Sequence, residues 1–193
     1  NGTIKRMRLD ALDTNRKTGI RALTLEEGDE LISVFRTNGE DKVIIASHDG
    51  LAICFEEQDV RPMGREAVGV RGMKLEQGDY VVGAELYEEG KQLLTVTELG
   101  YGKRTNLEEY LRQAEDGTRT AQSRGGKGVK NYHLSKKTGK VAGVRVVSEE
   151  DDIMLIENGG VIIRMPASGI NVYKRDTRGV IVMRVEEGNQ VIG

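Results

Sequence analysis

The sequence predicts an all-β fold made of repeated four-stranded units, and three features support that prediction. Val and Ile, which favour strands, outnumber Leu about two to one. Glycine supplies 25 of the 193 residues against two prolines, as expected for many tight turns. A glycine-led segment recurs at intervals of about 50 residues, a period typical of propeller blades. We therefore expect a single repeat domain over residues 1–193, folded as a propeller-like array of blades.

One part of each repeat is a glycine followed by a short apolar stretch, a polar turn and a second apolar stretch. We call its four copies the glycine-led segments, and their first residues the leading glycines. The copies are Gly19–Leu25, Gly69–Leu75, Gly128–Leu134 and Gly179–Val185. Apolar runs of this length bounded by turn residues predict short strands.

The other part is a β-hairpin, which follows each glycine-led segment apart from the last. Apolar runs flank turns at Asp49-Gly50, Leu99-Gly100 and Gly159-Gly160, and such turns need the positive φ that glycine adopts readily. The chain opens on Asn1-Gly2, which is the same turn without its first strand. We expect a piece of a longer protein, forming an incomplete ring. Its repeats are placed at approximately residues 2–49, 50–99, 100–159 and 160–193, the last one partial.

Composition narrows the class of function. Cys54 is the only cysteine, which excludes an internal disulfide and fits a reducing compartment. The two histidines, His48 and His133, take unrelated repeat positions, which argues against a zinc site. No apolar run is long enough to span a membrane. Because no group of residues forms a catalytic constellation, we expect a cytoplasmic protein that is no enzyme by itself and has no metal, cofactor or membrane partner.

Cations concentrate in stretches that lead to the leading glycines, which we call the connectors. They are Asn15–Gly19, Arg61–Gly69, Arg119–Gly128 and Tyr173–Gly179. Because equivalent parts of repeats occupy equivalent positions, the connectors should line one rim, and a curved cationic rim suits DNA. The candidate DNA-contacting residues are Arg16, Lys17, Arg65, Arg71, Lys103, Arg124, Gly125, Gly126, Lys127, Lys130, Lys174, Arg175 and Arg178. The alternative is a set of ordinary solvated loops.

The sharpest local motif is Gln122–Gly128, with the sequence Gln-Ser-Arg-Gly-Gly-Lys-Gly. Its three glycines leave the backbone bare, so that N–H groups and the flanking cations can approach phosphate oxygens closely. A purely structural crossover between two blades is the alternative interpretation of this motif.

Lys103 and Arg104 are neighbours in a predicted strand, so their side chains should point to opposite faces. Arg6, Arg164 and Cys54 occupy the Arg104 position in the other repeats. Alternation of arginine with cysteine indicates a partly buried slot, and we therefore expect Lys103 to be the residue of the pair that contacts phosphate.

Three segments carry a resemblance to a known family, and they are Gly69–Leu75, Gly100–Thr105 and Arg124–Gly128. Two further stretches, Asp10–Gly28 and Arg175–Gly193, follow the pattern of the same family. Over nearly its whole length, the chain resembles the C-terminal domains of DNA gyrase A subunits. The resemblance implies a β-pinwheel, a propeller variant whose blades exchange strands. It also implies sequence-nonspecific DNA binding and wrapping around a positively charged edge, which supports ATP-dependent negative supercoiling.

The same resemblance implies partners and a location. The partners are double-stranded DNA, the remainder of the gyrase A subunit and the gyrase B subunit in an A2B2 assembly. ATP and magnesium would act on other domains of this topoisomerase. The location implied is the bacterial cytoplasm, in association with the nucleoid.

Two departures from the family pattern qualify the resemblance. The family carries a Gln-Arg-Arg-Gly-Gly-Lys-Gly box in its first blade, whereas Gln122–Gly128 lies late in this chain and resembles a second, box-like copy. The catalytic tyrosine and its domain are not in this sequence, so no DNA cleavage is assigned. The C-terminal domain of a topoisomerase IV A subunit and a propeller-type protein-interaction module remain the alternatives.

Overall fold

The computed structural model describes every residue from Asn1 to Gly193. It contains strands, turns and four short 3-10 helices, so the all-β prediction is confirmed. None of its helices has the length and apolar character needed to cross a membrane. The 3-10 helices are Leu9–Leu12, Glu57–Asp59, Leu107–Tyr110 and Ala167–Gly169.

Fourteen strands make up the rest of the regular structure. They are β1 (Thr3–Ile4), β2 (Lys42–Ser47), β3 (Leu51–Glu56), β4 (Val70–Arg71), β5 (Val81–Leu86), β6 (Gln92–Thr97), β7 (Tyr101–Asn106), β8 (Arg112–Gln113), β9 (Arg119–Thr120), β10 (Val129–Lys130), β11 (Val141–Val147), β12 (Asp152–Ile156), β13 (Ile162–Pro166) and β14 (Val180–Ile181).

The strands form four blades and one extra hairpin. Blade 2 has the strand order β10-β3-β2-β5, and blade 3 has the order β11-β6-β7-β14. Blade 1 contains β1 paired with β4, blade 4 contains β12 paired with β13, and β8 pairs with β9 between blades 2 and 3. All of these strand pairs are antiparallel.

Each blade takes a strand from the repeat that follows it. Lys130 of β10 pairs with Leu51 of β3, and Ile181 of β14 pairs with Tyr101 of β7. The glycine-led segment of one repeat therefore completes the hairpin sheet of the previous repeat. The chain then returns to its own blade, where β5 and β11 pair with β2 and β6.

In blades 1 to 3, the carbonyl of the glycine in the hairpin turn accepts hydrogen bonds from the exchanged glycine-led segment. In blade 3, the Gly100 carbonyl accepts hydrogen bonds from the N–H groups of Val182 and Met183. Gly100 has a φ of +85°, and a Cβ atom there would overlap the Met183 carbonyl oxygen. Glycine is therefore required both by the turn and by the close approach of the exchanged strand.

The two ends of each four-stranded sheet face different surroundings. Residues 82–85 of β5 and 142–145 of β11 line one cavity of about 340 Å³, together with residues 153–155 and 191–193. The strands β5 and β11 therefore lie on the inner side of their blades. Because β10 and β14 are at the opposite end of the strand order, the glycine-led segments form the outer margin.

Three apolar clusters fill the spaces between consecutive blades. Alternate residues of β3 face different clusters, since Phe55 packs between blades 1 and 2 while Cys54 packs between blades 2 and 3. A third cluster around Leu155 joins blades 3 and 4. Burial raises the pKa of the Cys54 thiol to about 12, in agreement with its interpretation as a core residue.

Candidate nucleic-acid interface

The connectors lie next to one another in chain order at the outer margin. Each of the last three leading glycines has an arginine four residues before it. This arginine donates a hydrogen bond to the preceding glycine-led segment. Arg124 Nη1 donates to the Arg71 carbonyl at 2.6 Å and Arg175 Nη1 to the Lys130 carbonyl at 2.8 Å. Arg65 Nη1 donates to the carbonyl of Arg21 at 3.3 Å.

Further hydrogen bonds link the same neighbours. The Lys74 N–H donates to the Gly126 carbonyl at 2.8 Å, and the His133 N–H donates to the Thr177 carbonyl at 3.1 Å. The hydroxyl of Thr24 donates to the Glu66 carbonyl at 3.1 Å. Together, the four connectors and their glycine-led segments form one continuous band, which we call the connector row.

Apart from Lys103, the predicted DNA-contacting cations divide into two groups by exposure. Three arginines of the connectors are half-buried, and their guanidinium groups donate to backbone carbonyls: Arg65, Arg124 and Arg175. The exposed cations among the predicted residues are Arg16, Lys17, Arg71, Lys127, Lys130, Lys174 and Arg178. Contact of any of these side chains with DNA stays a prediction.

Gln122 is a structural residue of the box-like loop. It is 7% exposed, and its side-chain amide donates to the Tyr110 carbonyl at 2.9 Å. In the flanking repeats, the Nε atoms of Arg6 and Arg104 donate to the equivalent carbonyls, those of Val60 and Ile170. Gln122 thus supplies the donor in the repeat whose strand carries Cys54 instead of arginine. Sequence reasoning assigned Gln122 no such role.

The remainder of the box-like loop bridges blades 1 and 2. The Gly125 N–H donates to the Gly72 carbonyl at 2.8 Å, and Gly125 has a φ of +86°. Gly126 is exposed and has no positive φ, so only Gly125 of this pair needs glycine for its conformation. The N–H groups of Gly126 and Lys127 have no acceptor within the protein. They are therefore free to donate to an anion.

The expectation that Lys103 contacts phosphate is wrong. Its side chain is fully buried, and Nζ donates to the carbonyls of Lys174, Arg175 and Thr177. Burial lowers the pKa of Lys103 to about 7, while the surrounding acceptors and the Tyr132 ring favour the ammonium form. Strand alternation fails as a guide here because both faces of β7 are covered.

The neighbouring slot is as predicted, because Arg104 is only 4% exposed. Lys5 repeats the arrangement of Lys103 two connectors earlier in the row. Its Nζ donates to the carbonyls of Ala22 at 3.0 Å and Arg65 at 2.6 Å. The signal that sequence reasoning missed was a lysine at one hairpin position in two repeats, each facing the backbone of a connector.

Carboxylates already accompany two of the exposed cations. Asp176 lies 3.4 Å from Lys130 Nζ and 3.1 Å from His133 Nδ1. Burial opposes the ionisation of Asp176, but these two neighbours outweigh it and lower its pKa. Lys127 forms an ion pair with Glu76 at 2.6 Å, which lowers the pKa of that carboxyl. Gly125 occupies the register of Asp176, so the box-like loop has no acid at this position.

A comparison with protein-family models finds one family over nearly the whole chain. The family model described as the DNA gyrase C-terminal domain, a β-propeller, matches residues 1–38, 41–87, 91–116, 120–148 and 151–193. The chain belongs to this family. Its resemblance to gyrase A subunits is thereby confirmed.

Gyrase A subunits from several bacteria are relatives of this gyrase-type domain. It is 40% identical over 192 residues to the DNA gyrase A subunit of Salmonella typhimurium, and 38% identical over 193 residues to that of Escherichia coli. Both alignments cover all of this chain and 21% of the relative. The chain therefore spans about a fifth of the length of the curated relatives it matches.

Two solved structures share the fold of this gyrase-type domain. The C-terminal domain of DNA topoisomerase IV superposes with a TM-score of 0.89 at 26% identity, over all of this chain and 58% of the other. The C-terminal domain of DNA gyrase A superposes with a TM-score of 0.81 at 31% identity, over all of this chain and 61% of the other. The strand exchange between consecutive blades is the pinwheel arrangement expected of the family.

Proposed function

We propose that this gyrase-type domain binds double-stranded DNA without sequence specificity along the connector row and bends the duplex around it. The observation that carries the proposal is the continuity of the row. Each of the last three connectors is joined to the preceding glycine-led segment at the outer margin, and every connector brings exposed cations. A polyanion following this margin meets cations repeat after repeat, and the added contacts offset the cost of bending.

The exposed groups of the row explain the lack of sequence specificity. They are mainly lysine and arginine side chains, with bare backbone at Gly126, and such groups contact phosphates. Amide side chains are well suited to reading base edges in a groove. The one amide of the box-like loop, Gln122, is buried and bonded to Tyr110, so it is not available for that task.

The larger assembly is part of the same proposal. As a domain of a gyrase A subunit, the chain would act with the rest of that subunit and with gyrase B in an A2B2 enzyme, in the bacterial cytoplasm. The other domains would cleave DNA and use ATP with magnesium. The contribution of this domain is to hold and curve DNA, so that the enzyme favours negative supercoiling.

A topology assay tests the proposal directly. Nicked circular DNA is incubated with the protein, ligated, freed of protein and examined for its linking number. Wrapping shifts the linking number in proportion to bound protein, and binding weakens steeply with salt, with a log–log slope of about −0.9 per phosphate contact. Absence of binding at low salt, or binding indifferent to salt, would contradict the proposal.

A second candidate is a domain that holds DNA without wrapping it, as part of the A subunit of a topoisomerase IV. The observation in its favour is the higher TM-score to the topoisomerase IV domain. Salt-dependent binding with an unchanged linking number would support this candidate over the first.

A further inference from the structure

We infer that the half-buried arginines Arg65, Arg124 and Arg175 are positioning residues that clasp each connector to the glycine-led segment before it. The residues that contact phosphate directly at this position of the repeat are then Arg21, Arg71 and Lys130. Their backbone carbonyls accept the hydrogen bonds of the three arginines. The second half of this inference rests on the proposed function. The first half concerns the protein alone and is tested separately.

The register of the clasps is the first observation. Each arginine stands four residues before its leading glycine, and each acceptor carbonyl stands two residues after the preceding leading glycine. The same contact recurs in three consecutive pairs of repeats. A contact that repeats at a fixed register is set by the backbone geometry of the repeats and serves their alignment.

The surroundings of the guanidinium groups are the second observation. Arg124 also donates from Nε to the carbonyl of Asp59 at 3.0 Å, so two of its donors are already engaged. The Nε atom of Arg175 is buried. The backbone beside two of these arginines is fixed as well, because Lys5 donates to the Arg65 carbonyl and Lys103 to the Arg175 carbonyl. Such groups are poorly placed to meet phosphate.

The alternation of the exchanged strands is the third observation. Val70 and Val129 pack against the apolar clusters, so the next residues, Arg71 and Lys130, point outward and are exposed. Arg71 has no side-chain hydrogen bond or ion pair, and Lys130 has only its contact with Asp176. Each clasp thus fixes the backbone of a residue whose own charged side chain faces solvent. The clasps therefore set the spacing between the outward cations. Ile181 ends the series at the same register.

A matched pair of charge-conserving substitutions tests the clasp. Lysine keeps the charge of arginine but lacks the planar fork needed to reach both carbonyls. We expect Arg124→Lys to lower the Tm by roughly 2–4 °C and Arg71→Lys to leave it unchanged. At a temperature where both variants are fully folded, fluorescence energy transfer across a saturated duplex should show a reduced bend for Arg124→Lys only. A residue with a merely structural role would not change that bend in a folded domain.

Charge removal tests the phosphate contacts. We expect Arg71→Gln to reduce the salt slope of duplex binding by about 0.9, and Arg124→Gln to leave the slope unchanged. The inference is overturned if Arg124→Lys has the wild-type Tm and if Arg124→Gln, rather than Arg71→Gln, reduces the salt slope by about 0.9. If the wild-type chain fails to bind DNA, the proposed function and the phosphate assignment fall together, whereas the Tm comparison still decides the clasp.

Discussion

Lys103 and Arg104, two adjacent cations of strand β7, show how a cation can serve the backbone of this domain. Lys103 donates hydrogen bonds to three backbone carbonyls of a connector, and Arg104 donates to the Ile170 carbonyl at the end of a 3-10 helix. A buried carbonyl without a donor is costly, so these side chains fix irregular segments that no sheet could satisfy.

Replacing Lys103 with Met should separate stability from DNA binding. We expect the free energy of unfolding to fall by about 1–3 kcal/mol, because the connector carbonyls lose their donor. The salt slope of DNA binding should stay unchanged. Lys130→Met is the exposed control, and its slope should drop by about 0.9 while its stability changes by less than about 0.5 kcal/mol. Urea denaturation and salt titrations measure both quantities, and a slope loss in Lys103→Met would contradict the burial of its ammonium.

Glu57 predicts a specific acid sensitivity. It is 3% exposed and accepts hydrogen bonds from the Asp41 N–H, the Thr37 hydroxyl and Arg6. Burial opposes its ionisation, but these donors outweigh it and lower its pKa below the ordinary 4.5. Because the unfolded chain takes up this proton at a higher pH than the folded chain, Glu57 stabilises the fold at neutral pH. That contribution is lost as the pH falls from about 4.5 through the folded pKa.

Urea denaturation at several pH values checks this prediction. Glu57→Gln should flatten the decrease in the free energy of unfolding below about pH 4.5. The exposed Glu27→Gln removes the same charge without those hydrogen bonds and should keep the wild-type pH dependence. If the free energy of unfolding decreases equally in the two variants below about pH 4.5, Glu57 does not carry the effect.

At the scale of the element, the box-like loop combines a required glycine with a dispensable one. Gly128 has a φ of +80°, and a Cβ there would overlap the Ala52 carbonyl oxygen of β3. Gly126 has no positive φ, and its Cβ would be in ordinary contact with Ile53 Cδ1 at 3.8 Å and the Ser123 carbonyl oxygen at 3.9 Å. We expect Gly128→Ala to destabilise the domain by about 2 kcal/mol or more, and Gly126→Ala to change stability by less than about 0.5 kcal/mol. Thermal denaturation of the two variants makes the comparison, and equal Tm values would refute it.

The ion pair between Lys127 and Glu76 restrains the same loop. Because a phosphate must displace the Glu76 carboxylate from Lys127, we expect Glu76→Gln to bind duplex DNA more tightly. An exposed ion pair is weak because solvent screens it, so the gain should be at most about fivefold at low salt. Glu27→Gln matches the change in net charge and should produce a smaller gain. Equal affinities for the two variants would mean that the ion pair does not compete with DNA.

At the scale of the whole molecule, outward cations at one register should act additively. The double substitution Arg71→Gln with Lys130→Gln should lower the salt slope by roughly 1.8, because two phosphate contacts are lost. Lys136→Gln with Lys137→Gln removes the same charge from an exposed turn outside the exchanged strands. We expect that control to retain most of the slope, and equal losses would assign binding to overall charge.

The sequence predicts the fold of the molecule better than its site. Periodic glycines and alternating apolar runs are local signals, and they placed hairpins such as β2–β3 and β6–β7 correctly. Gln122 donates the hydrogen bond that an arginine at the Cys54 position would otherwise donate. Because Gln122 and Cys54 are far apart in the chain, no local pattern shows this replacement. Lys103 was misplaced for a related reason. Whether a strand face is exposed to solvent depends on which residues of a later repeat pack against it.

The exchanged strands also set the order in which the protein matures during synthesis. Leu51 of blade 2 pairs with Lys130, about 80 residues later. At translation rates of about 5–20 residues per second, the blade 2 hairpin waits roughly 4–16 s for its outer strand. During that interval the outer edge of β3 has unsatisfied backbone groups, the kind of edge that pairs with other chains. Each new repeat therefore closes the nascent edge left by the one before it, and a ribosome stalled between repeats would expose an aggregation-prone strand.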